Sequence, residues 1–392
     1  MRVLLIHNRY QLAGGEDAVV QQELAMLRES GVDVRLFEVD NDSIVSPLER
    51  IRAATGTIYS WQMRSTVSEI IKELRPEVIH VHNFFPRLSP SVYDAAHQNG
   101  CAVVQTLHNY RLICANAKLF RDNLPCHDCV GRAYGWPGVL HRCYRESAVG
   151  SAVVAGMTAW HRARGTWKTR VDRYIVLTEF ARDLFAQSGV IPLNRMVVKA
   201  NAVADPGLGA GKGNYLLFVG RLVPEKGIKV LLDAAGLGAG FPMPLKVVGT
   251  GPLEGEVRAA ERAGRIEYLG VQTKAAVLSL MQHATALLFP SIWYEGMPVV
   301  LAEAYATGLP VIASRLGAMT GLIIHEENGL HVEPGDSDGL QRAARRIASA
   351  PEFAAKLRRN ARATYKEKYT PQTSLKILLQ TYEDAQKSYS GS

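Results

Sequence analysis

Short apolar, β-branched runs recur along the chain between longer stretches of helical periodicity, the pattern of parallel strands buried on both faces. In the first half these runs are Arg2 to His7, Val32 to Val39, Val78 to His82, Ala102 to His108, Tyr174 to Thr178 and Met196 to Asn201. Between the first two, Val19, Val20, Leu24 and Leu27 return at helical spacing and Gly31 follows as a C-terminal cap, which predicts a helix. Residues 202–214 hold four Gly and one Pro with no periodicity and read as an interdomain linker. Beyond them the alternation restarts at Tyr215 to Gly220, Leu245 to Gly249, Ile266 to Gly270, Ala286 to Ser291 and Pro310 to Ser314. Two α/β blocks are therefore expected, each a Rossmann-like doubly wound sheet. Their functional loops should lie beyond the carboxyl ends of the strands and face a central cleft.

Length agrees with that division, since 392 residues suit two domains. No stretch approaches the roughly 20 apolar residues of a membrane span, and the six-residue apolar run at the start is too short for a signal peptide. A cytoplasmic protein is expected. The net charge of +8, from 45 Lys and Arg against 37 Asp and Glu, suits an anionic partner. From Arg111 to Arg173 there are eleven basic residues against four acidic ones, so one segment carries nearly all of the surplus.

The most specific chemistry lies in EGMPVVLAEAYATGLPVIAS, Glu295 to Ser314. Gly296 and Pro298 suit a turn into a helix, and Gly308 with Pro310 ends that helix before a strand. Glu295 falls on the loop and Glu303 inside the helix, about 12 Å apart along the axis at ~1.5 Å per residue. That separation does not suit an acid/base pair acting on one bond. It suits two carboxylates holding different hydroxyl-bearing parts of a long ligand. In FVGRLVPEKG, Phe218 to Gly227, a strand and a Gly turn place Arg221 and Lys226 on one loop, a bidentate fork and a compact charge suited to a pyrophosphate. GTGPLEGE, with Gly249 and Gly251, is a further turn after a strand where backbone can approach a nucleotide. Taken singly, the two Glu would read as solvated helix-end carboxylates and the two cations as a solvated loop; their order along the chain joins them.

In this order, after an N-terminal α/β block, these pieces resemble the family 4 glycosyltransferases of the GT-B fold. The resemblance runs from the Gly14-Gly15 loop to the stretch His331 to Asp336. It implies a nucleotide-diphosphate sugar donor and transfer with retention, without a catalytic metal. By the same resemblance Glu303 would bind the ribose, Glu295 the donor-sugar hydroxyls, and Arg221 with Lys226 the diphosphate. Backbone amides across Gly296, Met297, Pro298 and Val299 would reach sugar and phosphate, aided by the positive end of the helix. Gly15 would lie near the distal phosphate, His108 beside the donor sugar, and His82 and Asn83 on the side of a glycan or lipid-linked acceptor. The chain departs from the family at Ala318 and Gly321, where a second Gly and a later Glu are usual, and at Ala202 after Asn201. The implied layout is an acceptor-side domain over 1–203 with a Cys-rich basic insertion near 111–170, a donor domain over 204–370, and a C-terminal helix over 371–392 crossing back.

Cys114, Cys126, Cys129 and Cys143 fall as C-x11-C-x2-C-x13-C inside the basic segment, a spacing that would allow a structural zinc stapling a long insertion; reduced thiols are the alternative. From Tyr134 to Trp167, Trp136, Tyr144, Trp160 and Trp167 interleave with Arg132, Arg142, Arg145, Arg162, Arg164 and Lys168 around an apolar run. Such a pattern suits peripheral contact with an anionic membrane, on the inner face of the cell membrane, and cell-surface polysaccharide or glycolipid assembly. A dinucleotide oxidoreductase lacks its G-x-G-x-x-G after the first strand. A GT-B epimerase or phosphorylase would share the cleft but not the paired Glu element. A zinc-containing nucleic-acid-binding protein would leave both α/β blocks unexplained, so nucleic acid is not expected as a partner.

Overall fold

The computed structural model describes residues 1–9, 14–40, 56–209 and 213–390; Ala13 of the first Gly loop and Ala210 to Lys212 of the Gly-rich stretch lie outside them. Among the described residues no helix is long and apolar enough to cross a membrane. The chain divides into two compact units. One comprises Met1–Leu119, Cys126–Ala200 and Ser374–Ser392, and the other Phe120–Pro125 and Asn201–Thr373.

The first unit holds a six-stranded, all-parallel sheet of β1 (Arg2–Asn8), β2 (Asp33–Val39), β3 (Val78–Asn83), β4 (Ala102–Leu107), β7 (Arg173–Val176) and β8 (Met196–Val198), ordered β2-β1-β3-β4-β7-β8. Between β4 and β7 falls a two-residue-per-strand antiparallel hairpin, β5 (Phe120–Arg121) with β6 (Leu124–Pro125). Because side chains alternate across a strand, one face takes Val3, Leu5 and His7 from β1 and Val78, His80 and His82 from β3. From β4 the same face receives Ala102, Val104 and Thr106. Its apolar half packs under Leu24 and Leu27 of the helix Gly15–Glu29 and under Leu378, Tyr382 and Ala385 of the C-terminal helix Pro371–Ser390. Its carboxyl-end half is histidine and threonine, and those polar groups are also buried.

The second unit is a parallel sheet of β9 (Leu216–Val219), β10 (Leu245–Val248), β11 (Glu267–Gly270), β12 (Ala286–Phe289), β13 (Val311–Ser314) and β14 (Gly329–Val332). Its order is β11-β10-β9-β12-β13-β14. The first strand is central and its successors run outward in both directions, so the topological switch point lies between β9 and β12. The expected strands all form; β14 and the β5-β6 hairpin had no counterpart in the apolar pattern because both are short and broken by polar residues.

The stretch after Asn201, expected as an interdomain linker, is held against the second unit over its described residues. Val203 donates its N–H to the Tyr369 carbonyl at 3.0 Å, Arg362 reaches Asp205 at 2.8 Å, and Arg358 reaches the Gly209 carbonyl at 3.3 Å. Composition made it look free, but cations of the helix Pro351–Lys368 tie it to the second unit.

Candidate active site

In the second unit the loops after β9, β10 and β12 emerge side by side, since β9 pairs with both other strands. Glycine sets their approach. Gly227 has φ +72°, and a Cβ there would overlap the Pro290 carbonyl; Gly249 has φ +140°, and a Cβ would overlap the Gly220 carbonyl. The loops after β9 and β12 are further tied by Ile292 N–H donating to the Glu225 carbonyl at 3.0 Å.

The closure brings Lys226 to Glu295. One carboxylate oxygen of Glu295, Oε1, accepts from Lys226 Nζ at 2.8 Å, Ser291 Oγ at 2.6 Å and Trp293 Nε1 at 2.7 Å. Glu295 is only 4% exposed, so this convergence of donors compensates a charge removed from water. The second carboxylate, Glu303, lies on the helix Val299–Ala306, which follows β12. Burial pushes its pKa above the usual carboxylate range, and Lys274, at 3.6 Å, pulls the other way. Each carboxylate thus has one lysine. Lys274 escaped the sequence reading because it opens a different helix, Lys274–His283, and belongs to no contiguous motif.

Pro298 is the N-cap of the Val299–Ala306 helix and offers no side-chain cap, which leaves the first-turn amides to be satisfied from elsewhere. Met297 is buried, and its carbonyl accepts from Asn201 Nδ2 at 2.9 Å, holding the Gly296 to Val299 turn in place. Arg221 is exposed on the β9 loop, while Gly249 and Gly251 form the β10 loop.

In the first unit His108 follows β4 and stacks on His82 of β3, with ring centroids 5.3 Å apart and His82 Nδ1 at 3.0 Å from His108 Nε2. Both line a pocket with Gln105, Asn109 and Arg111. Burial is the main reason that His82 titrates well below the ordinary range and that His108 is pushed down to about 3, so both are neutral at pH 7. Asn83 lines the same pocket, but its amide is engaged by backbone, donating to the Asn8 carbonyl at 2.8 Å and accepting from Phe85 N–H at 2.9 Å. Gly14 precedes the first helix and Gly15 opens it; the Gly14 N–H is taken by Asp17 at 2.7 Å, and Asp17 also meets His7 Nε2 at 2.8 Å. A Cβ on Gly15 would meet open space.

Below these histidines lies a charged pair that the motifs did not signal. Glu23 of the first helix meets Lys199, just past β8, with Nζ at 2.5 Å from Oε1, and Lys199 also donates to Ser374 Oγ at 3.3 Å. Both are nearly solvent-free. Burial alone would raise the pKa of Glu23, but the Lys199 ammonium and its hydrogen bond more than offset it, so the carboxyl stays ionised. Glu23, His80 and His82 bring three ligand atoms within 4.8 Å of one another, alone among the described residues. They do not suit a metal, because Lys199 already neutralises the carboxylate. In addition, both His80 nitrogens are engaged, with Tyr382 Oη at 2.8 Å and Thr106 Oγ1 at 2.7 Å.

The cysteine and aromatic expectations meet a more mixed outcome. Cys114, Cys126, Cys129 and Cys143 form no disulfide and do not gather as three ligand atoms within 4.8 Å. Burial pushes the Cys129 thiol up to about 11, with smaller influences from the other three, so the four stand in one neighbourhood without forming a tetrahedron. Of the aromatic residues expected at a surface, Trp136 and Trp160 are exposed, whereas Trp167 is buried and donates to the Thr158 carbonyl. The apolar run is the helix Ala148–Ala163, whose Val154, Ala155 and Met157 are consumed in packing.

Two parallel doubly wound sheets, with Lys226 and Glu295 on the switch-point loops of the second and Glu303 on the helix that follows, define a GT-B α/β protein. The chain matches the model of the glycosyl transferases group 1 over residues 205–364 and that of the glycosyl transferase 4-like domain over residues 14–202, and it belongs to this group of glycosyltransferases. It is 34% identical to a D-rhamnosyltransferase of Pseudomonas aeruginosa over 40% of this chain and 42% of that protein. It is 30% identical to an O-antigen chain mannosyltransferase of Escherichia coli over 40% of this chain and 43% of that one. The aligned part thus spans less than half the length of these two relatives. Among solved structures it is similar to sucrose-phosphate synthase of Thermosynechococcus elongatus, with TM-score 0.71 and 19% identity over all of both chains. It is also similar to Anabaena HepE in complex with UDP, with TM-score 0.67 and 15% identity over 98% of this chain and all of that one.

Proposed function

We propose that the protein is a retaining glycosyltransferase that moves a sugar from a nucleotide-diphosphate donor to a hydroxyl of a glycan or lipid-linked acceptor. The observation that carries this reading is the pair of carboxylates, each with a lysine, on the loop and helix that follow β12 at the switch point of the second unit, Glu295 buried and Glu303 half-buried. Glu303 accepts the ribose hydroxyls and Glu295 the hydroxyls of the donor sugar. Lys226, at 2.8 Å from Glu295, puts the cation for the diphosphate directly beside the acceptor for the sugar, and Arg221 adds a bidentate fork. The amides of the Gly296 to Val299 turn and the helix behind them add positive potential. HepE was solved with UDP, and the matched relatives are named for rhamnosyl and mannosyl transfer, which supports a nucleotide sugar as donor.

In the reaction the bond from the anomeric carbon to the β-phosphate oxygen breaks and a bond to the acceptor oxygen forms on the same face. The acceptor proton passes to the departing phosphate. The protein's part is to stabilise charge on the diphosphate and to align the two reactants, without a catalytic metal. His108, neutral, serves a hydroxyl of the donor sugar, and His82 and Asn83 lie on the acceptor side. The proposal includes cell-surface polysaccharide or glycolipid assembly at the inner face of the membrane. Trp136 and Trp160 stand exposed beside Arg132 and Arg164, whose guanidinium carbons lie 5.3 and 4.6 Å from the respective rings. It also includes a structural zinc that would draw the four clustered thiols together.

Incubation with UDP-, GDP-, ADP- and TDP-sugars and a glycan or lipid-extract acceptor should release the nucleoside diphosphate from one donor class, and the product's anomeric configuration by NMR should equal the donor's. Release from none, or an inverted product, would reject the reading. Flotation with anionic liposomes should weaken when Trp136, Arg164 and Lys168 are replaced. Reduced protein should carry one zinc per chain, and its absence from folded protein would remove that element.

A further inference from the structure

The Glu23–Lys199 pair carries an inference about protons. Lys199 Nζ lies on Glu23 Oε1, which leaves Oε2 as a buried lone-pair donor with no hydrogen-bond partner among the described residues. Facing it at 3.6 Å is His82 Nε2, likewise buried and without a hydrogen bond. An ionised carboxylate can only accept. If His82 carried its proton on Nδ1, two lone pairs would face each other in a site closed to water, an unfavourable contact at low dielectric. The proton therefore sits on Nε2, toward Glu23. His82 Nδ1 is then an acceptor, and its only nearby polar partner in the stack is His108 Nε2 at 3.0 Å. That contact forms only if His108 donates, which fixes the proton of the neutral His108 on Nε2 and leaves Nδ1 bare. His80 does not compete, since its two nitrogens are taken by Tyr382 and Thr106.

We propose that Glu23 is a positioning residue that, through His82, holds His108 in the tautomer with Nδ1 as a hydrogen-bond acceptor for a sugar hydroxyl in the pocket at the end of β4. The arrangement follows the logic by which a buried carboxylate fixes the tautomer of an imidazole it does not protonate. It rests on the glycosyltransferase reading only for the identity of the hydroxyl; the tautomer itself follows from the geometry of the first unit.

The test is long-range proton–nitrogen NMR on protein labelled with ¹⁵N-histidine, which reads the tautomer of each neutral ring. In the unaltered protein His108 should be in the Nε2–H form; the Nδ1–H form would overturn the proposal with no variant needed. In Glu23→Gln, Lys199 keeps the amide oxygen, so the amide nitrogen faces His82 and donates to it. Both histidines should then reverse and His108 should carry Nδ1–H. With a working acceptor assay, the same variant should lose roughly tenfold or more in kcat, as a wrong tautomer does, while binding of the free nucleoside diphosphate by calorimetry stays unchanged. Glu23→Asp should keep the original tautomer. An unreversed His108 in folded Glu23→Gln would contradict the relay. Failure of every nucleotide sugar to bind would instead strike the functional reading and leave the tautomer result standing.

Discussion

The two units place their chemistry in opposite ways. In the second, the groups sit on the loop after β9 and on the loop and helix after β12, with Lys274 opening a separate helix, and glycines press those loops together so that Lys226 meets Glu295. In the first, the groups sit on one buried sheet face and the helices over it: His7, His80, His82, Glu23, Lys199 and Tyr382 come from five separate elements or their ends. A loop site can adapt to a ligand at little cost to the fold. A site laid into the core cannot be altered without disturbing stability, and its protonation states are set by burial.

That contrast can be broken deliberately. The largest effect is expected from Lys199→Met, which leaves the Glu23 carboxylate buried and unpaired and should cost about 3–5 kcal/mol in chemical unfolding. Adding Glu23→Gln should recover a large part of it; no recovery would mean that Lys199 acts through packing alone. Gly227→Ala should cost the second unit about 2–3 kcal/mol, from the positive φ and the overlap with Pro290, and should weaken nucleotide binding by moving Lys226 off Glu295. A milder result would show that the loops are not held by that contact.

Next is acid. His80, His82 and His108 are held neutral by burial, with folded values below the ordinary histidine value of 6.5. At pH 7 neither folded nor unfolded forms are much protonated there, so nothing is lost. As pH falls below about 6.5 the unfolded chain takes up protons that the folded one refuses. Stability should then drop by up to about 1.4 kcal/mol per pH unit for each histidine, down to the folded value, about 3 for His108. Denaturant unfolding at pH 7 and pH 5 should show it, and a flat profile would contradict the buried network. The smallest effect is expected from Lys274→Ala. Lys274 is 67% exposed, so loss of its contact with Glu303 should change stability by less than about 1 kcal/mol while raising the pKa of Glu303.

The same contrast explains what could be read without coordinates. Both sheets were legible because continuous apolar runs mark strands buried on two faces. So was the Glu295 to Glu303 element, because its turn, helix and end signals are local. Lys274 and Glu23 were not legible, since each meets its partner only through tertiary pairing, Lys199 lying 176 positions from Glu23. A signal for the first-unit cluster does exist. In β1 and β3 the apolar residues of one face give way to His7, His80 and His82 toward the carboxyl ends, so titratable groups replace packing where a parallel sheet binds ligands. The anchoring of the described part of the interdomain stretch was not legible for the opposite reason, because Gly and Pro count does not register Arg358 and Arg362, which bind the Gly209 carbonyl and the Asp205 carboxylate.

The central claim is that the second unit holds a nucleotide-diphosphate sugar through its paired carboxylates. Calorimetric titration with UDP-, GDP-, ADP- and TDP-sugars, on the unaltered protein and on Glu303→Ala, tests it most directly. One donor class should bind the unaltered protein and bind the variant at least about tenfold more weakly, the loss of roughly 1.4 kcal/mol expected when a charged hydrogen-bond acceptor is removed. Equal binding by the two proteins, or no binding of any nucleotide sugar, would contradict it.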